Sequence, residues 1–221
     1  MKLCVAVLVG AMTLTGVAWA QTRASSASAP SESIGYAEGV AQASFGNVTS
    51  NSFGAEIGVN IRPDLQVFAE GGHMGDVATP AISAAAMQIA GYLSQSQSSP
   101  VGYSVKQPVN FGAAGLKYLP PIHGPFQPYV LGGLGAAKVT QNFNVTIGGT
   151  DVTSSLDQYG VTLGTDLSGS FTKLLLVLGG GVNYTVFQHL LIDAQYRYGR
   201  IFAEDQAINT HRVGIGVGVR F

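Results

Sequence analysis

Nine charged side chains bound the chemistry open to this sequence: Glu38, Glu56, Glu70, Lys138, Lys173, Asp193, Arg197, Arg212 and Arg220. Each lies in a stretch of alternating residue types and is assigned to the face opposite the large aliphatic side chains. Four carboxylates and five bases on apposed surfaces can pair, and pairs that rearrange could gate a pore. The same set could instead be a packed polar interior in which acids and bases satisfy one another. A closed ring of eight strands favours the second use, because its interior is just wide enough for side chains. Which acid meets which base is not written in the linear order.

The remaining candidates are weaker. His123 and His189 fall in tight turns, and His73 and His211 near the far ends of strands. None has the close ligand spacing of His-x-x-x-His, so no metal is expected, and no cofactor either. Gly132-Gly133-Leu134-Gly135 superficially resembles a dinucleotide loop but sits inside a strand with no helix after it. A hydrolase using His with Ser or Asp is an alternative, since such groups assemble in space. His211-Arg212-Val213, however, has no Ser beside it on its face.

The charged residues sit on strands. Phe53, Ala55, Ile57, Val59 and Ile61 alternate with Gly54, Glu56, Gly58 and Asn60. The last stretch, Val-Gly-Ile-Gly-Val-Gly-Val-Arg-Phe, is the strictest case, with Gly214, Gly216 and Gly218 sharing a face with Arg212 and Arg220. Period 2 marks strands. Gly on the wet face of a soluble strand packs nothing, whereas inside a narrow barrel it makes room for Arg and its acid partner. The aliphatic face then meets lipid.

Eight segments follow this pattern: 34–45, 53–61, 65–71, one within 105–119, 126–140, 171–187, 190–202 and a last one ending at Phe221. In the fourth, Phe111 is out of phase with Leu116 and Tyr118, which predicts a bulge near Gly112 to Gly115. In the fifth, Tyr129, Leu131 and Val139 are placed opposite Lys138. Arg200 breaks the charge rule near a strand end, where a long side chain can reach water. Residues 72–104 form a long insertion, in which Thr79-Pro80 starts an amphipathic helix to Leu93. Residues 141–170 read as a second long polar loop. Tight connections after the second, fourth and sixth strands contrast with these long ones.

Composition agrees. Apolar residues make up 46% and charged ones 10% of the chain, far from the roughly 25% charge of soluble domains. Past the N-terminus no apolar run approaches the roughly 20 residues of a spanning helix. A barrel is the other membrane solution. The rival is a secreted lipocalin-like barrel with its aliphatic face inward, which the Gly-rich polar face disfavours. Residues 1–20, with Lys2, an apolar core and Ala18-Trp19-Ala20, have the form of a secretory signal peptide. Residues 21–33 are a Ser/Ala-rich lead-in. The sole Cys, Cys4, falls in the signal, so no disulfide is expected. No basic patch points to nucleic acid.

Tyr129 to Ala137, Gly179 to Tyr184, Asp193 to Tyr198 and the closing strand together resemble the OmpA/OmpX-type family of small outer-membrane β-barrels. The resemblance covers Ile34 to Phe221 and is specific for architecture rather than activity. It implies an all-β, eight-stranded, antiparallel up-and-down transmembrane barrel over 34–221, with a short helix in one outer loop. It further implies a monomer with periplasmic termini, outer-membrane lipids and lipopolysaccharide as surroundings, and Phe221 as the signal read by the insertion machinery. The expected role is non-enzymatic, structural or surface-interacting through the 72–104 and 141–170 loops, with a narrow gated pore or a lipid A-modifying outer-membrane enzyme as the alternatives.

Overall fold

The structure, a computed structural model, describes residues 34–221 except positions 123, 165–166, 188 and 204–205. The signal peptide and lead-in assigned to residues 1–33, and His123, lie outside the described residues. The elements are β1 (Gly35–Phe45), β2 (Ser50–Arg62), β3 (Leu65–Met74), α1 (Pro80–Ser96), β4 (Val101–Lys106), β5 (Val109–Tyr118), β6 (Phe126–Ile147), β7 (Thr150–Asp151), a 3-10 segment (Thr153–Tyr159), β8 (Ser168–Val186), β9 (Leu190–Ile201) and β10 (Ile208–Arg220).

Eight of these strands close into an antiparallel ring in the order β1-β2-β3-β5-β6-β8-β9-β10. The seam joins β1 to β10 from Tyr36 opposite Arg220 to Phe45 opposite His211. Gly35 and Phe221 exchange two backbone hydrogen bonds at its end, at 2.9 and 3.0 Å. Closure leaves no unpaired sheet edge, which is the condition for strands to cross lipid. The aliphatic residues point outward and are about half exposed, as at Ile57, Leu134, Leu174 and Ile215. The lipocalin-like arrangement, aliphatic side in, is thereby overturned. The β2–β3, β5–β6 and β8–β9 turns and both ends of the ring's chain lie at one end of the barrel; the β1–β2 turn and the longer connections lie at the other.

The inside has two layers. Toward the tight turns it is polar and aromatic. Toward the long connections Met74, Val109, Val139, Leu175, Ile201 and Ile208 fill it, each nearly or wholly buried. Beyond that end the chain builds a cap. Ile82, Ala86 and Leu93 of α1 pack with Phe143 and Val145 of β6 and with Val152, Leu156, Val161 and Leu167. Thr79 caps α1 as expected: its hydroxyl accepts the Ile82 N–H at 3.4 Å, with Pro80 in the first turn. Gln107 ties this cap residue to the barrel rim by accepting the Thr79 N–H at 3.0 Å.

Three expectations need correction. The pairing of β5 with β3 and with β6 runs without a shift, so there is no bulge at Gly112 to Gly115. Phe111 faces inward and Leu116 and Tyr118 outward because the two faces of β5 really differ in this way. The 141–170 stretch is not a plain loop: β6 continues to Ile147 beyond the ring, pairing there with β4 and β7. Finally, a separate strand, β4, begins in the 72–104 insertion and ends at Lys106, and Gln107 and Pro108 separate it from β5, the fourth strand of the ring.

Candidate functional site

The polar layer inside the barrel is organised on Glu56, in the middle of β2 and 1% exposed. Its Oε1 accepts from Lys117 Nζ at 2.6 Å and from the Tyr36 hydroxyl at 2.5 Å, and its Oε2 accepts from the Arg197 guanidinium at 2.8 Å. Lys117 Nζ also donates to the Tyr36 hydroxyl, and lies 4.4 and 4.2 Å from the Tyr36 and Tyr129 ring centroids. Arg197 donates to the Tyr129 hydroxyl at 3.1 Å, and that hydroxyl donates to Asp193 Oδ2 at 2.6 Å. A second acid carries the chain onward: Glu70 lies 3.7 Å from Arg197 Nε and accepts from Arg212 at 3.0 Å. Arg212 in turn lies over the Phe111 ring at 4.3 Å. Seven strands thus contribute to one bonded unit, in which buried acids and bases are held by ion pairs and hydrogen bonds.

Glycine makes this packing possible. A Cβ at Gly58 would overlap the Tyr36 ring; one at Gly181 would lie 2.6 Å from the Tyr129 hydroxyl, and one at Gly216 2.7 Å from Glu38 Oε2. The pairing of Gly with large polar residues on one face is therefore steric.

The predicted set divides as follows. Glu56, Glu70, Asp193, Arg197 and Arg212 are joined in the network. Glu38 is on the inner face beside Gly216 but accepts no hydrogen bond from the protein. Arg220 faces inward at the tight-turn end and donates to Thr185 at 3.0 Å. Lys173 is half-buried on the inward face of β8 near the cap. Lys138 is a correction: it is exposed on the outer face, while Tyr129, Leu131, Ala137 and Val139 are buried within. Lys117, absent from the predicted set, is wholly buried at the centre. Its signal was present, since Leu116-Lys117-Tyr118 puts Lys opposite two lipid-facing residues, and the expected bulge obscured it.

Lys138 lies where the outside changes. Along β6 the outward residues Phe126, Val130 and Leu134 give way to Lys138, Asn142 and Asn144. Lys138 pairs with Asn110 and Thr172, and Asn110 pairs with His73, so one polar row crosses four neighbouring strands. The His73 ring nitrogen and Asn110 Oδ1 are 2.9 Å apart within it. From Phe126 to Ala136 a strand tilted about 40° rises roughly 26 Å, which matches the ~25 Å apolar band of an outer-membrane barrel. Aromatic residues gather at both limits: Phe126 stacks on Tyr184 at one, and Phe45, Tyr196 and Tyr198 surround His211 at the other.

A closed ring with an apolar exterior, aromatic limits and an ion-paired interior defines a class, the membrane-spanning β-barrel. The family model described as outer membrane protein beta-barrel domain matches residues 3–221, and the chain belongs to that family. It is accordingly an integral outer-membrane protein. Among solved structures it is similar to Neisserial surface protein A (18% identity, TM-score 0.53, covering 85% of this chain and 96% of that one). It is also similar to the N-terminal β-barrel domain of OprF of Pseudomonas aeruginosa (15%, 0.49, 86% and 100%) and to Ail, the attachment invasion locus protein of Yersinia pestis (15%, 0.46, 85% and 97%). At these identities the likeness is one of fold. No curated protein sequence matches the chain.

Proposed function

We propose that this protein is a non-enzymatic, non-conducting outer-membrane barrel that serves the envelope structurally and meets partners through the cap at its loop end. The observation that carries this reading is the bonded interior. The space among Val40, Gln42, Glu56, Glu70, Phe111 and Arg212 is about 10 Å³, about the room of a single water. An ion crossing it would have to break several pairs at once. Against hydrolysis, His73 and His211 bond to Asn110 and Tyr196 on the outer face rather than to a Ser or a carboxylate.

In this reading residues 1–20 are removed on export, the termini face the periplasm, and the cap faces outward as a monomer among outer-membrane lipids and lipopolysaccharide. Phe221, exposed at the seam, is the residue offered to the insertion machinery. Planar-bilayer recording of the refolded chain from residue 21 is the test. The expected result is no steady conductance, and Glu56→Ala should admit current if the network is the plug. Regular wild-type channel openings would instead establish the pore. Loss of a lipid A acyl chain on overexpression would establish the hydrolase.

A further inference from the structure

We propose that a pocket at the loop end, between the β1–β2 turn and the β9–β10 connection, binds a neutral pyranose ring. It is a half-open pocket of about 400 Å³, lined by Phe45, Asn47, Gln206, Asn209 and His211 with intervening small residues. That volume is within the roughly 300–1,000 Å³ of small-ligand pockets. Three of the five side chains are amides, each offering both donors and an acceptor. Vicinal hydroxyls of a sugar are likewise donors and acceptors together, so amides match them better than charges do.

The second half of the recognition is aromatic. The Phe45 and His211 rings stack with centroids 6.4 Å apart and planes at 7°, and the Tyr198 ring lies 5.4 Å from His211. Such a surface suits the apolar C–H face of a pyranose. The polar groups are also held before any ligand arrives. The Tyr198 hydroxyl donates to Asn209 Oδ1 at 2.8 Å, which leaves the Asn209 NH2 group for a ligand. The Tyr196 hydroxyl and His211 Nδ1 are 2.7 Å apart, which fixes the imidazole plane. Groups fixed in place beforehand lose less entropy on binding.

A pyranose at this level has two sources, the sugars of an outer-leaflet glycolipid or a soluble glycan reaching the cell. The proposal rests on the surface-recognition reading only in that the loop end must face outward. The binding test uses the chain from residue 21 refolded in sugar-free dodecylphosphocholine micelles. Its probes are methyl glucoside, N-acetylglucosamine and the core oligosaccharide released from lipopolysaccharide by mild acid. Saturation-transfer NMR should mark sugar ring protons, and the side-chain amide signals of Asn47, Gln206 and Asn209 should shift. Phe45→Ala and Asn47→Ala should each weaken binding about tenfold, the scale of one lost hydrogen bond or stacking contact, while Gln88→Ala on α1 leaves it unchanged. The heat-dependent gel shift of the folded barrel verifies that each variant is folded.

Tighter binding of the core oligosaccharide than of the monosaccharides assigns the glycolipid source; the reverse assigns a soluble glycan. Absence of transfer to every probe, or binding indifferent to both pocket variants, overturns the proposal. Thiol labelling of Ser96→Cys on intact cells tests the orientation separately, so failure of the pocket and failure of the outward-facing reading are distinguishable.

Discussion

The barrel and the cap are built by opposite rules, and β6 runs through both. In the barrel its outward face is Val130 and Leu134, while its inward neighbours on other strands include Glu56, Lys117 and Arg197. In the cap the same outward face carries Asn142 and Asn144, and the inward face carries the buried Phe143 and Val145. One strand with unbroken alternation thus has an apolar outside for its first part and a polar outside for its second. Lys138 stands between them. The solvent changes there from lipid to water, and the side-chain types follow the solvent while the backbone continues.

The comparison can be broken at several points. The largest effect is expected for Glu56→Ala, which leaves the buried Lys117 and Arg197 without their shared acid and should cost about 3–5 kcal/mol. Urea titration in micelles measures it. Glu38→Gln, beside it but unbonded, should cost little, and an equal loss for both variants would contradict the assignment of the network to Glu56.

Next comes Leu93→Ala in the cap, where the residue is 0% exposed. The cavity should cost about 2–5 kcal/mol, felt locally as protease cleavage within residues 75–108 while the barrel keeps its heat-dependent gel shift. Loss of the gel shift as well would mean that cap and barrel unfold as one unit.

On the outer face, Val130→Arg should cost about 2–4 kcal/mol at mid-depth in a bilayer. Lys138→Arg, eight residues further along the same face, should cost nearly nothing. Equal costs would remove the boundary from Lys138.

The smallest effect concerns Asp151. The Thr153 hydroxyl, then the Thr153 backbone N–H and the Asn144 amide, hold its carboxyl below the usual carboxylate range. A lowered folded value means that this carboxylate supports the β6–β7 turn above the ordinary carboxylate pKa and ceases to as pH falls through the lowered one. Amide exchange at Val145 and Thr153 should therefore quicken only in acid, and Asp151→Asn should abolish that pH dependence.

Much of this was legible in the sequence, for a physical reason: in a barrel, parity is position. Leu174, Leu176, Leu178 and Val182 against Lys173, Gly179, Gly181 and Asn183 specify β8 and its orientation without further information. The acids Glu56, Glu70 and Asp193 and the bases Arg197 and Arg212 were legible as inward by the same rule. What parity cannot encode is which solvent lies outside, so Lys138 was placed within. It also fails where an inward residue is apolar, as with Phe111 and Tyr129, because an interior near a charged network still needs aromatic packing. The partners of Glu56 come from β1, β5 and β9, and that convergence depends on how the strands tilt around the ring. The cap was legible only as a helix and a polar loop, since its buried Phe143, Val145 and Leu156 are spaced by β6 and the 3-10 segment rather than by one period.

The most direct test of the account is a single-Cys scan of the outward face of β6 at positions 130, 134, 138, 142 and 144, in a chain from residue 21 that contains no other Cys. The refolded variants are placed in bilayers and treated with a charged thiol reagent, with a lipid-borne quencher reporting membrane exposure. The account predicts no aqueous labelling and strong quenching at 130 and 134, full labelling without quenching at 142 and 144, and the change at 138. Uniform aqueous labelling along all five positions would contradict it, because the apolar face would then be in water and the barrel would not span the membrane.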